Sequence, residues 1–186
     1  KSNSKYWRGN SDTETLLEVI NYFGVEESLN YLKGAFAICI WDKITSTLYL
    51  VRDRFGEKPL YWGYINTPLL NNKAFIFSSE ISSFSSIVRN NLDIDYSALI
   101  SYFQFNCIQQ PLTIYKDLKQ LMPGTFLKLK ANADNLSLND SITFKKWWSL
   151  ESKNFEENLP EKEYESKLHN LLLKSVKSQT ISDVPL

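Results

Sequence analysis

Four places in this 186-residue chain carry side chains whose types could do chemistry. The first is Ser11-Asp12-Thr13-Glu14, ahead of an apolar-periodic run of Leu16, Leu17, Ile20 and Phe23. A serine followed by glutamate at this spacing is a capping box. It predicts that Ser11 accepts from the backbone N–H of Glu14 and that Glu14 reaches back to Ser11. Asp12 then takes the first helical position, where the helix dipole stabilises a carboxylate. By spacing alone Asp12 is a helix-start acid, a residue favoured in any helix. The second place is the bend holding Arg52, Asp53, Arg54, Glu57 and Lys58, closed by Gly56 and Pro59. Isolated buried charge is too costly to persist, so these groups must be solvated or paired. A paired structural network is the expectation there, ahead of a substrate site. The third is the pair Cys39 and Cys107, and the fourth is the single histidine, His169. Together they make neither a disulfide framework nor a zinc site. Cys39 lies in a buried strand pattern and reads as a small core hydrophobe. His169 lies beside a helical stripe without a positioned partner, and reads as a packed or solvated side chain.

The elements that must position these groups follow from periodicity and punctuation. The helix opened by Ser11 should end at Gly24, and a short helix should cover Glu26 to Leu32. Within Lys33 to Tyr64, two almost continuously apolar runs flank the polar turn Asp42 to Ser46, one leading to Asp42 and one starting at Thr47, which predicts a hairpin covered on both faces. A further run, Leu60 to Tyr64, follows the charged bend. Ala74 to Ser78 reads as a strand, with Ser78 or Ser79 capping the next helix. Tyr96 to Phe105 reads as a helix capped by Asp95, with Leu99, Tyr102 and Phe103 inward, broken by Gln109-Gln110-Pro111. Met122-Pro123-Gly124 turns into the alternating strand Thr125 to Lys130. Ala131 to Ser141 reads as a hairpin loop and Ile142 to Trp148 as the returning strand. Glu151 to Leu159 reads as a linker. Pro160 then opens a helix whose stripe is Tyr164, Leu168, Leu171, Leu172 and Val176.

Composition sets the outer limits. Lys plus Arg and Asp plus Glu number 21 each, so net charge is zero. That argues against nucleic-acid or anionic-membrane partners, which bind through basic patches. No apolar run approaches the roughly 18 residues of a membrane span, and polar Lys1 to Asn10 is no signal peptide. A reducing, cytoplasmic setting is the default for this cysteine usage. Aromatics at 14% imply a sizeable core. The length suits one domain, or one domain and part of another. Lys1 and the closing Ile181-Ser182-Asp183-Val184-Pro185-Leu186 do not look like natural termini, so a fragment is expected.

The ordered set Ser11-Asp12-Thr13-Glu14, Gly34-Ala35-Phe36-Ala37-Ile38, Trp41-Asp42, Arg52-Asp53-Arg54-Phe55-Gly56-Glu57-Lys58-Pro59-Leu60-Tyr61, Phe77-Ser78-Ser79-Glu80, Pro123-Gly124 and Ser182-Asp183-Val184-Pro185 closely resembles the glutamine-dependent asparagine synthetases. The resemblance implies an α+β fold. It would be a partial N-terminal-nucleophile αββα sandwich, with antiparallel sheets covered by helices. The first helix of an α/β ATP-pyrophosphatase-type synthetase domain would follow. Residues 1–150 would be the C-terminal part of a type 2 glutamine amidotransferase domain, 151–159 a linker and 160–186 the beginning of the synthetase domain. In such enzymes a cysteine exposed as the first residue, with its own α-amine as base, hydrolyses glutamine. The ammonia amidates aspartate with ATP and Mg2+. Asp12 matches the aspartate that holds the α-ammonium of glutamine, a task suited to a carboxylate at a helix start. Arg52, Asp53, Gly56 and Pro59 match a motif taken as scaffolding. Neither Cys39 nor Cys107 can supply a free α-amine. The nucleophile would lie upstream of Lys1 and the Ser-Gly-Gly-x-Asp-Ser ATP loop beyond Leu186, so this stretch by itself should be inactive and bind no cofactor or metal. The implied partners are glutamine, aspartate and ATP, with a homodimer open to the full-length protein. Two alternatives stay open: a relative amidating another carboxylate acceptor, and a non-catalytic amidotransferase-like scaffold.

Overall fold

The computed structural model describes residues 11–67, 72–84, 92–130, 142–150 and 160–180. The chain divides into two compact units, Lys1–Ser149 and Leu150–Leu186.

In the first unit, helix α1 (Asp12–Phe23) begins after Ser11 and stops at Gly24, whose φ of 79° and N–H bond to the Ile20 carbonyl close the last turn. The expected second helix is split. Helix α2 spans Val25–Ser28, and a 3₁₀ turn follows at Leu29–Tyr31. Strands β1 (Ala37–Asp42) and β2 (Thr47–Arg52) form the expected antiparallel hairpin, with Asp42 opposite Thr47. Its turn is built by one side chain. Asp42 accepts from the N–H groups of Ile44 (2.8 Å) and Thr45 (3.3 Å) and from the Thr45 hydroxyl (2.7 Å), and Ser46 takes a φ of 50°. Strand β3 (Tyr61–Thr67) pairs with β4 (Asn72–Ser78) and β5 (Leu118–Gln120). Strand β6 (Thr125–Lys130) pairs with β2 and with β7 (Ile142–Lys146).

Two antiparallel sheets result, ordered β1-β2-β6-β7 and β4-β3-β5. The run at Leu60 therefore leaves the hairpin's sheet and enters the second. Between the sheets lie Leu50, Leu127 and Leu129 from one side and Leu60, Leu121, Trp62 and Phe75 from the other. The outer face of the first sheet presents Tyr49, Val51 and Phe126 to Leu29, Val25 and Leu32. The outer face of the second carries Ile65 and Leu118 against Phe84, Ile81 and Leu92. Burying apolar surface on both faces of each sheet is what the layered arrangement achieves.

Several expectations need correction. Strand β2 is buried as expected, but among the described residues β1 is the sheet's edge: Trp41 is 48% exposed and Cys39 is exposed, not a core residue as expected. Crowding by neighbouring atoms still pushes its thiol above the ordinary value. In α1, Leu17 and Phe23 face out, and Leu16, Val19 and Ile20 are the half-buried positions. Helix α3 (Tyr96–Phe105) is capped by Asp95, which accepts from Ser97 N–H (2.9 Å) and Ala98 N–H (3.3 Å). Its inward residues are Ala98 and Leu99, whereas Tyr102 and Phe103 are exposed. It ends at Asn106, in the left-handed region with φ 53°, before the proline is reached. Ser78 accepts from Glu80 N–H (3.2 Å), but the element that follows is a short 3₁₀ turn at Ile81–Phe84. The expected loop at 131–141 and linker at 151–159 lie outside the described residues.

The second unit contains helix α4 (Glu161–Gln179), begun at Pro160 as expected. Its stripe of Tyr164, Leu168, Leu171, Leu172 and Val176 is exposed, as is His169. No helix among the described residues is long and apolar enough to cross a membrane.

Candidate functional site

Helix α1 and the segment leading into β1 enclose a cleft of about 460 Å³. Asp12 and Thr13 line it from the helix start, and Lys33, Ala35 and Phe36 from the entry to β1. Leu16, Val19, Leu32 and Ile38 supply an apolar floor. The local sequence explains the helix start. Ser11 has an extended backbone and its hydroxyl accepts from the N–H of Thr13 at 3.2 Å. The cap bond thus goes one residue earlier than the capping box predicts. Asp12 is exposed and accepts from the Thr13 hydroxyl at 3.5 Å. It stands at the first helical position, where exposed helix N–H groups favour negative charge. A cleft with one carboxylate, one ammonium and an apolar floor suits a small zwitterionic ligand, whose charged groups need partners and whose carbon chain does not.

The charged bend has a different character. Arg52 and Asp53 are buried, at 2% and 1% exposure. The ion-pair network expected from the sequence gives way to bonding with backbone groups. The Arg52 guanidinium donates to the carbonyls of Lys58 (2.9 Å), Leu121 (2.6 Å) and Gly56 (2.7 Å). Burial pulls that guanidinium below its ordinary value, with Asp53 opposing the shift. The Asp53 carboxylate accepts from four N–H groups. Phe55 (3.1 Å) and Glu57 (3.0 Å) bind Oδ1, and Phe36 (3.3 Å) and Lys58 (2.9 Å) bind Oδ2. Burial raises the Asp53 carboxyl, but backbone N–H groups, led by Lys58 and Glu57, outweigh it and hold it below the ordinary carboxylate value.

Further bonds spread from this node. Asp53 N–H donates to the Phe36 carbonyl (3.0 Å), and the Asp53 carbonyl accepts from Gly124 N–H (2.8 Å). The Gly124 carbonyl accepts from Trp147 (2.9 Å) and Trp148 (3.1 Å). The Trp147 indole N–H reaches the Arg52 carbonyl at 3.2 Å, and its ring lies under the Arg54 guanidinium and beside Phe36. Two glycines are required here. A Cβ at Gly56 would sit 2.8 Å from Arg52 Cζ, and one at Gly124 2.6 Å from the Trp148 carbonyl. Both have positive φ, 68° and 60°.

The structure thus places Asp12 in a cleft. It leaves Cys39 and Cys107 exposed, and none of the cleft's lining residues is a cysteine. Among the described residues no cluster of three His, Cys, Asp or Glu side chains is arranged to hold a metal. Sequence reasoning did not place Lys33 and Phe36 at the cleft. The available signal was the Lys33-Gly34-Ala35-Phe36 stretch, where a positive-φ glycine (97°) brings neighbouring side chains to the mouth of β1.

Comparison with known proteins gives this geometry a context. Asparagine synthetase [glutamine-hydrolyzing] 1 of Bacillus subtilis (strain 168) is 32% identical over 176 residues, covering 95% of this chain and 25% of that protein. Putative asparagine synthetase [glutamine-hydrolyzing] 2 of Methanocaldococcus jannaschii is 29% identical, covering 95% of this chain and 32% of its own length. The chain therefore spans a quarter to a third of these relatives. A solved structure of the allosteric regulatory enzyme of purine biosynthesis superposes with a TM-score of 0.50 at 18% identity, covering 78% of this chain and 24% of that one. This likeness concerns the fold alone, and it bears out the expected α+β, partial N-terminal-nucleophile sandwich. The family model described as the glutamine amidotransferase domain matches residues 1–148, and the chain belongs to that family.

Proposed function

We propose that this chain is the glutamine-binding part of a glutamine-hydrolysing asparagine synthetase, with Asp12 as the acceptor for the α-ammonium of glutamine. The observation that carries the reading is the cleft that brings Asp12 and Lys33 over an apolar floor, in a chain of this family. A carboxylate at a helix start gives an ammonium a charge-assisted acceptor, and Lys33 has the sign that a ligand carboxylate needs. The floor accommodates the methylene groups between them.

In the whole protein, ammonia released from glutamine would amidate aspartate in an ATP- and magnesium-dependent ligase step. ATP and magnesium would belong to the synthetase portion of the whole protein. Residues 1–150, 151–159 and 160–186 would then be amidotransferase domain, linker and start of the synthetase domain. A cytoplasmic enzyme, with a homodimer open to it, fits the charge balance and the cysteine usage.

The test is Asp12→Asn in the full-length protein. Glutamine-dependent synthesis should fall about ten- to a hundredfold in kcat/KM, the value of one hydrogen bond to a charged group. Synthesis from added ammonia should be spared. Equal loss in both assays would make Asp12 a folding residue, and no loss in either would leave it a helix-start acid. Offering carboxylates other than aspartate as acceptor in the same assay separates an asparagine synthetase from a relative with another product.

A further inference from the structure

The backbone of Phe36 is held from two directions by one residue. Asp53 donates its N–H to the Phe36 carbonyl at 3.0 Å, and Asp53 Oδ2 accepts the Phe36 N–H at 3.3 Å. Both peptide groups flanking the Phe36 Cα are therefore tied to the charged bend. Phe36 is also part of the cleft wall shared with Asp12. Upstream, Gly34 has a φ of 97° with open space where a Cβ would be, so the chain before Phe36 is shaped by a residue of high conformational freedom. Downstream, Asp53 is fixed by its bonds to Phe55, Glu57 and Lys58, while Arg52 holds the carbonyls of the same bend.

We infer that Asp53 is a positioning residue for the cleft. It transmits the rigidity of the Arg52–Pro59 bend to Phe36 and so sets the distance between the wall formed by Phe36 and the helix carrying Asp12. It touches no ligand. This rests on the reading of the cleft as the glutamine site. A binding constellation has to be held within about 0.5 Å of its productive geometry, so a backbone clamp on a wall of the cleft acts on the affinity for its ligand.

The carboxylate makes the inference testable with a near-isosteric change. Oδ1 serves Phe55 and Glu57, and Oδ2 serves Phe36 and Lys58. An asparagine offers one oxygen, so one pair of N–H donors must face an NH2 group. In full-length Asp53→Asn, KM for glutamine should rise about tenfold, while ammonia-dependent turnover of the same preparation stays unchanged. A purely architectural Asp53 would lower the folded yield and leave the glutamine KM of the folded enzyme untouched, and that result overturns the inference. Should Asp53→Asn not fold, Phe36→Leu carries the test. It keeps both backbone bonds but alters the wall, and an unchanged glutamine KM would again overturn the inference. Asp12→Asn run in parallel separates the two readings. If Asp12→Asn loses glutamine-dependent activity and Asp53→Asn keeps the parental KM, only the positioning role fails. If Asp12→Asn has no effect on glutamine use, the glutamine-site reading fails and takes the positioning role with it.

Discussion

Asp12 and Asp53 are the same side chain in opposite circumstances. Asp53 is 1% exposed and its two oxygens receive four backbone N–H bonds, which fills the acceptor capacity of a carboxylate. Asp12 is exposed at the lip of a cleft and takes a 3.5 Å contact from its neighbour's hydroxyl. A carboxylate saturated by its own protein has nothing left to offer a ligand, whereas an open one at a helix start does. The surroundings match. The bend beside Asp53 is tied to Leu121 and Gly124, ahead of β6, and through them to the two tryptophans after β7. Helix α1 buries no residue fully. Buried, saturated bonds are concentrated in one region and the open carboxylate stands in the other.

That contrast can be broken most directly at Arg52. Arg52→Met leaves the carbonyls of Gly56, Lys58 and Leu121 without their donor. The Leu121 carbonyl is the buried one of the three, and a buried orphan costs about 1–3 kcal/mol, so a loss of about 1–3 kcal/mol is expected in urea unfolding. A loss below about 1 kcal/mol would mean that the bend is not where stability resides. The next effect in size is acid sensitivity. The folded Asp53 carboxyl is held below its unfolded value of about 3.9, so its contribution is present above that pH and is lost as pH falls through the lower folded value. Stability measured by denaturant from about pH 5 downward should therefore drop more steeply in the parent than in Asp53→Asn, which has no carboxyl to protonate. Parallel slopes would remove Asp53 from the account. The smallest effect belongs to the open region. Ser11→Ala removes the cap bond to Thr13 and should cost about 0.5–1 kcal/mol. A cost equal to that of Arg52→Met would erase the distinction between the two regions.

What was legible in the sequence was local. Ser11, Gly24 and Asp95 mark helix ends because a cap acts within a few residues, and the structure puts those helix ends where they were expected. The β1–β2 hairpin followed from its turn chemistry in the same way. The family order of the motifs supplied the fold. What was not legible depends on partners distant in sequence. An almost continuously apolar run does not say whether its strand has a neighbour on each side, so Cys39 read as a core residue although it is exposed. The short β5 carries little pattern of its own and exists through pairing with β3. The charges of the bend predicted charged partners, but carbonyls and N–H groups occur at every residue and leave no mark in a sequence. For the same reason Asp12 could be named, while Lys33 and Phe36 could not.

The reach of Arg52 also bears on time. Its bond to the Leu121 carbonyl joins residues 69 apart in sequence. The β1–β2 hairpin can close with its own turn, but the bend beyond it cannot be completed until the segment entering β6 arrives. Closing so long a loop is slow relative to local pairing. A node completed late in folding would govern how fast the protein comes apart more than how fast it assembles. In Arg52→Met, the lost stability should appear as faster unfolding, with the refolding rate little changed.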